Sequence, residues 1–300
     1  MDTEPITTHH PDGTPGNTWP GPMLIDTHAH LYNCYDHQVY FDATLANFNQ
    51  ARTRLGLPRG EEASTPGCLL LAEPGEINMF QSLLAQRELE GGRWRFIQCA
   101  DGLSVIAQHH GRDALLFIKG RQIRTRERLE ILSLCCDADI PEDITTIDAL
   151  NRAIDHDSLP VLPIGAGKWL GSRGRFVDEI MASPLGEKIW LGDNAGRLAA
   201  APTPRQFIQA RQQGRWVLPG SGTVAFRSQT PRIGRYGICL DIEVDRDSPA
   251  ASIKQGVRAG GEHPVVFGRP DGLINYVRCQ TLMQIYGYLR GPEWYGIEGT

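Results

Sequence analysis

Leu24-Ile25-Asp26-Thr27-His28-Ala29-His30-Leu31 is the sharpest local signal in this 300-residue chain. The surrounding apolar run, Met23–Leu31, has the length of a strand. Side chains alternate along a strand, so Asp26, His28 and His30 are expected on one face. Two neutral imidazoles side by side can hold a divalent transition metal, and a nearby carboxylate can orient a ring or complete the site. With nine histidines in the chain, a bare His-x-His is a weak signal; an apolar strand ending in DTHAH is a much narrower one. The bland alternative is a strand end with two satisfied structural histidines.

Working outward, apolar runs of strand length recur at 67–72, 94–100, 114–123, 159–164, 188–192, 215–218 and 236–242. Residues 129–136 are a ninth candidate, as a strand or a short buried helical turn. Helical spacing fills 77–89, 144–154, 176–181, 204–213, 248–258 and 273–289. Strands alternating with helices predict an α/β fold with a parallel sheet covered on both sides. About eight such units suit one TIM-like (β/α) barrel, regular or distorted, over residues 22–300. Residues 1–21, rich in Pro, Gly, Thr and Asp without apolar periodicity, read as a flexible leader.

Composition narrows the function classes. The chain is 41% hydrophobic and 22% charged, as soluble globular proteins are. Thirty Lys plus Arg against 35 Asp plus Glu leave a net charge of -5, which argues against general nucleic-acid binding. No apolar run approaches the roughly 18 residues of a membrane span. The seven cysteines are scattered and form no CxxC, which fits reduced thiols and predicts a cytoplasmic protein. There is no P-loop, no GxGxxG after a strand and no GxSxG elbow, so kinase, dehydrogenase and serine-hydrolase readings lack a motif.

LIDTHAHL resembles the first strand of the amidohydrolase superfamily and of its TatD-like and PHP-type (polymerase and histidinol phosphatase) relatives. The resemblance implies a metal-dependent hydrolase on a TIM or distorted TIM barrel, with His28 and His30 as metal ligands. The implied cofactor is a divalent ion such as Zn, Mn or Fe, which would activate water. Later strands depart from the pattern. Gln122 stands where PHP relatives carry Glu, and the 159–169 segment offers Lys168 where His is expected. LGDNAGR supplies Asp193 rather than His, and Gly222 in LPGSG occupies the position of an expected Asp. The candidate centre is therefore His28, His30 and Asp193, with Asp26 as orienter and Asp193 and Lys168 as catalytic groups.

Glycine-rich strand-end loops bring Lys168, Arg173, Arg197, Arg227, Arg232 and Arg235 forward, and arginine forks bind phosphate or carboxylate. They point to a small anionic substrate, a phosphoester ahead of an amide or lactone. The alternative for each arginine is a solvated loop charge with an acidic neighbour. Two functional readings stay open: a metal-dependent hydrolase, and a catalytically diverged barrel that binds a ligand or serves as a scaffold. An oligomer is compatible with either.

Overall fold

The computed structural model describes residues 17–75, 77–165 and 169–290. In chain order the first elements are β1 (Thr18–Trp19), β2 (Pro22–Ala29), α1 (His37–Leu55), β3 (Gly67–Leu71), β4 (Glu73–Pro74) and α2 (Met79–Gln86). Next come β5 (Trp94–Gln98), β6 (Ser104–His109), β7 (Arg112–Ile118), β8 (Gly120–Arg124), β9 (Glu130–Leu134) and α3 (Thr146–Asp155). They are followed by β10 (Leu159–Pro163), α4 (Ser172–Ala182), β11 (Trp190–Asn194), α5 (Arg205–Gln212) and β12 (Val217–Gly220). The last are β13 (Gly237–Asp241), β14 (Val244–Asp245), α6 (Pro249–Ala259), β15 (Val265–Phe267) and α7 (Leu273–Arg290).

These strands do not close into a parallel barrel, which corrects the TIM-like expectation. They form a seven-stranded sheet in the order β15-β13-β2-β3-β7-β6-β5 and a six-stranded sheet in the order β12-β11-β10-β9-β8-β4. Both are mixed. In the first, β2, β3 and β7 are parallel while β13 runs antiparallel to β2 and β6 antiparallel to β7. In the second, β10, β11 and β12 are parallel, whereas β9 is antiparallel to both β8 and β10. Apolar run length marks a buried strand without giving its direction, so the alternation of runs misread these antiparallel pairs as βα units. The 114–123 run is in fact two strands, β7 and β8, that serve different sheets.

Chain continuity joins the two sheets. The 67–74 segment pairs with β2 through β3, then with β8 through β4, and the Ala72 N–H donates to the Ala29 carbonyl at 2.8 Å between them. At the other edge β12 returns to β2. The Thr27 hydroxyl donates to the Pro219 carbonyl at 2.9 Å, and the Gly222 N–H donates to the His28 carbonyl at 2.7 Å. The end of β2 is thus enclosed between both sheets.

Three apolar layers follow. Tyr40, Phe41 and Phe48 of α1 pack with Leu24, Leu69 and Phe117 on the outer face of the first sheet. Met23, Ile25, Leu70 and Ile118 meet Leu132, Val161 and Leu218 between the sheets. Ile131, Leu162 and Leu191 pack under α3, α4 and α5 on the far side. Burial on both faces explains why β2 carries almost no polar alternation; only Pro22 of its eight residues is less than fully buried.

Within β2 lies the feature that decides where the motif points. Its register with β3 runs Ile25 to Cys68, Asp26 to Leu69, then Ala29 to Leu71, so one extra residue is inserted between Asp26 and Ala29. Such a bulge reverses the parity of every side chain after it. Leu24 packs on the α1 side before the bulge, and Ala29 and Leu31 pack there after it. Asp26 therefore shares the α1 face, while His28 and His30 turn to the space between the sheets. The period-two expectation of one common face fails for this reason.

α1 and β6 were not anticipated. Asp36 caps α1 by accepting from the Val39 N–H at 3.0 Å, and Gly56 ends it in the left-handed conformation. That Asp-to-Gly spacing is the signal by which sequence could have found it. Of the expected leader, residues 1–16 lie outside the described residues. Its end is anchored: Thr18–Trp19 pairs with β14, and Trp19 is buried. No helix among the described residues is long and apolar enough to cross a membrane.

Candidate functional site

Beyond the bulge, His28 and His30 form the floor of a cavity of about 880 Å³. Their rings meet edge to face with centroids 4.8 Å apart, and Tyr32 stacks on His30 at 5.3 Å. Burial, and next the charge of His28, push the His30 pKa well below its usual 6.5, so His30 is a neutral imidazole. Its Nδ1 is buried outside hydrogen-bond geometry with any described residue, although the Ala72 backbone acts on the ring and opposes the downward shift. Gln122, arriving from β8, places its amide oxygen 3.3 Å from His28 Nε2.

Asp26 does not touch either ring. Its Oδ1 accepts from the backbone N–H groups of His28 at 3.1 Å and Ser221 at 2.9 Å. Its Oδ2 accepts from the Ser221 hydroxyl at 2.6 Å and the Gly234 N–H at 3.0 Å. Burial raises the Asp26 pKa, and these four donors oppose the shift. The carboxylate thus ties the motif strand to the loops after β12 and before β13. Of the expected orienting contacts, the structure places one on the backbone N–H of His28.

Asp193, expected as a ligand and catalytic group, sits at the end of β11 in a different set of contacts. Arg197 grips both its oxygens, Nε to Oδ1 at 2.8 Å and Nη2 to Oδ2 at 2.8 Å, and the Tyr236 hydroxyl donates to Oδ2 at 2.8 Å. A side-on guanidinium–carboxylate pair of this kind is strong and geometrically fixed. It raises the Arg197 pKa, chiefly through the hydrogen bonds to Asp193. Among the described residues no three His, Cys, Asp or Glu side chains gather as a metal-binding group. His28, His30 and Asp193 therefore do not come together as the expected triad.

The remaining expectations separate by place. Arg197 lines the cavity. Arg235 and Arg232 both bond Asp271 Oδ1, and Arg232 and Asp271 are on the cavity wall. Burial, then the positive charge of Arg232, pushes the Arg235 pKa down to about 10. Arg173 lies in the first turn of α4, and Arg227 opens a short 3-10 turn whose charge reaches the Cys34 thiol. Lys168 lies outside the described residues. Sequence reasoning missed Asp271 and the cavity wall supplied by α7 through Tyr276, Cys279 and Gln280. The one local cue is the Asp271-Gly272 dipeptide ahead of the last helix.

Gly222 has a steric reason for lacking a carboxylate. Its φ is +47°, and a Cβ built there would lie 2.2 Å from Asn194 Nδ2. Asn194 cannot swing aside freely, because its Oδ1 accepts the Gly196 N–H at 2.6 Å. Gly222→Asp is expected to lower stability by about 2 kcal/mol or more in chemical denaturation, without creating or increasing hydrolytic activity.

No family model matches the chain, and no curated protein matches it. Among solved structures, PsfC from Pseudomonas syringae PB-5123 is similar at 15% identity and a TM-score of 0.51, over 89% of this chain and 98% of PsfC. That likeness is one of fold. The lesion-specific endonuclease PfuEndoQ from Pyrococcus furiosus aligns at 14% identity and a TM-score of 0.46, over 81% of this chain and 57% of the endonuclease.

Proposed function

We propose that this chain is a hydrolase of a small phosphoester or related anionic substrate, working at the cavity floor with a divalent metal ion on His28 and His30. The observation that carries the reading is the pair of buried imidazoles, one held neutral chiefly by burial, facing a cavity large enough for a small molecule. The donor set fits a weakly held ion. The two imidazoles lie together, and since the Gln122 amide oxygen accepts from His28 Nε2, an ion would take the other ring nitrogen of His28 together with His30. Catalytic zinc sites ordinarily have three stronger protein ligands, so modest affinity is expected here. When bound, the ion would supply Lewis acidity at the scissile ester.

The chain's own groups have defined tasks in this reading. Asp26 fixes the His28 backbone, Gln122 fixes its ring, and Tyr32 covers His30. Arg197, held by Asp193 and with Tyr236 behind it, offers its remaining N–H groups to the substrate from a fixed position. A second reading, ligand binding without turnover, is favoured by one observation. Gln122 and Gly222 stand at the two positions where the resemblance implies a carboxylate, so neither supplies a general base, and the cavity's own carboxylates among the described residues are Glu130 and the arginine-bound Asp271. A phosphatase, esterase and amidase panel with Mn, Zn or Fe supplied separates the two. Turnover that disappears in His28→Ala and His30→Ala supports the hydrolase; metal binding without any turnover leaves the binding protein.

A further inference from the structure

Charge on the cavity wall is unevenly balanced. Arg197 has Asp193 to itself, and Arg205 has Asp178. Arg232 and Arg235, by contrast, share the single oxygen Oδ1 of Asp271. Two guanidiniums against one carboxylate leave a surplus of one positive charge, and Arg278 adds to the field at Arg232. The surplus is not at the open surface. Asp271 is 2% exposed, Arg232 12% and Arg235 27%, and Arg235 Nε is buried with no hydrogen-bond partner among the described residues.

Among the described residues, neighbouring groups do not remove this surplus. The Cys279 thiol accepts from the Gln229 amide at 3.1 Å, and burial raises its pKa, which keeps it neutral. Asp26 acts on Arg235 only as the weakest of its neighbours, and its own oxygens already receive four donors. A buried charge without a counter-charge is costly, so this wall is built to be completed by an anion. Asp271 is itself held in place, its N–H donating to the Ala195 carbonyl at 2.8 Å, which keeps the pair of arginines fixed at the cavity edge.

We infer that Arg232, backed by Arg235 and Asp271, is an anion subsite of the cavity that takes one phosphoryl or carboxylate group of the ligand. The inference deepens the hydrolase reading by naming the part of the substrate held away from the histidines. It does not need turnover, so binding and activity can fail separately. Arg232 presents a fork suited to two oxygens, and Asp271 competes with the ligand for it. That competition gives the subsite a distinctive sign: removing the carboxylate should strengthen anion binding.

The test is calorimetric titration of the metal-free full chain with inorganic phosphate and, in parallel, with acetate. Saturable binding of either ion to the wild type is expected. Arg232→Gln should weaken it roughly tenfold to hundredfold, the range for losing a charged hydrogen bond. Asp271→Asn should bind the ion more tightly than the wild type and gain more in thermal midpoint from it. Arg112→Gln, which removes an exposed arginine paired with Glu61 outside the cavity, should change the affinity less than twofold. Absence of saturable binding by both ions overturns the inference, as does weaker binding by Asp271→Asn. If Arg232→Gln does not fold, the sign of the Asp271→Asn effect decides alone.

Discussion

Asp26→Ala should be among the most damaging single substitutions in the molecule, lowering stability by about 3–5 kcal/mol. The carboxylate is fully buried and accepts three backbone N–H groups and one hydroxyl. Alanine removes every acceptor while leaving His28, Ser221 and Gly234 with buried donors. Each orphaned donor costs on the order of 1–3 kcal/mol, less where the Ser221 hydroxyl or a water can compensate. The damage should also be local. The bulge of β2 and the loops after β12 and before β13 lose their common tie, so His28 should lose its fixed position. Denaturant unfolding gives the first effect as a lower midpoint at similar slope. A stability loss below 1 kcal/mol would show that the carboxylate is not the tie described.

Gly220→Ala is the second large effect, and it acts through space rather than charge. A Cβ at Gly220 would stand 2.4 Å from both the backbone N and the Cβ of His28. These are atoms of the motif strand, so no side-chain rotation relieves the clash; β12 and β2 must move apart. Overpacking of this kind costs about 3 kcal/mol. It should weaken metal and ligand binding together, because the displaced residue is His28. Gly272→Ala is the matched control, since nothing lies within 4 Å of the Cβ it would add. Its stability should change by less than about 0.5 kcal/mol. Equal effects from the two substitutions would contradict the close approach of β12 to β2.

How far the sequence could be read depends on which physical rule each element obeys. Apolar runs located β2, β3, β10, β11, β12 and β13, because burial on both faces leaves a largely continuous hydrophobic signature, and also β5, which buries only Trp94 and Phe96 on one face. Direction and sheet membership were not legible, since both are set by pairing between distant segments. The 114–123 run shows this most clearly: one apolar stretch becomes β7 and β8, with Gly120 at the crossing packed against the Leu71 and Ser133 carbonyls.

The candidate site divides in the same way. His28 and His30 were legible as neighbours, and the bulge changed only which groups share their face. Asp193 and Arg197 were both legible as polar residues at a strand end. Their bidentate pairing with each other was not, and it withdraws Asp193 from the histidines. The Arg232–Arg235–Asp271 set joins residues 36 and 39 positions apart, a separation that no local pattern reports.

The central claim is that His28 and His30 together form the working centre of the cavity. Metal analysis of the purified full chain, with Zn, Mn or Fe supplied, compares the wild type with a His28→Ala/His30→Ala double variant of confirmed fold. Roughly one ion per wild-type chain is expected under saturating metal, and none retained by the double variant. Equal metal content in the two proteins would contradict the claim.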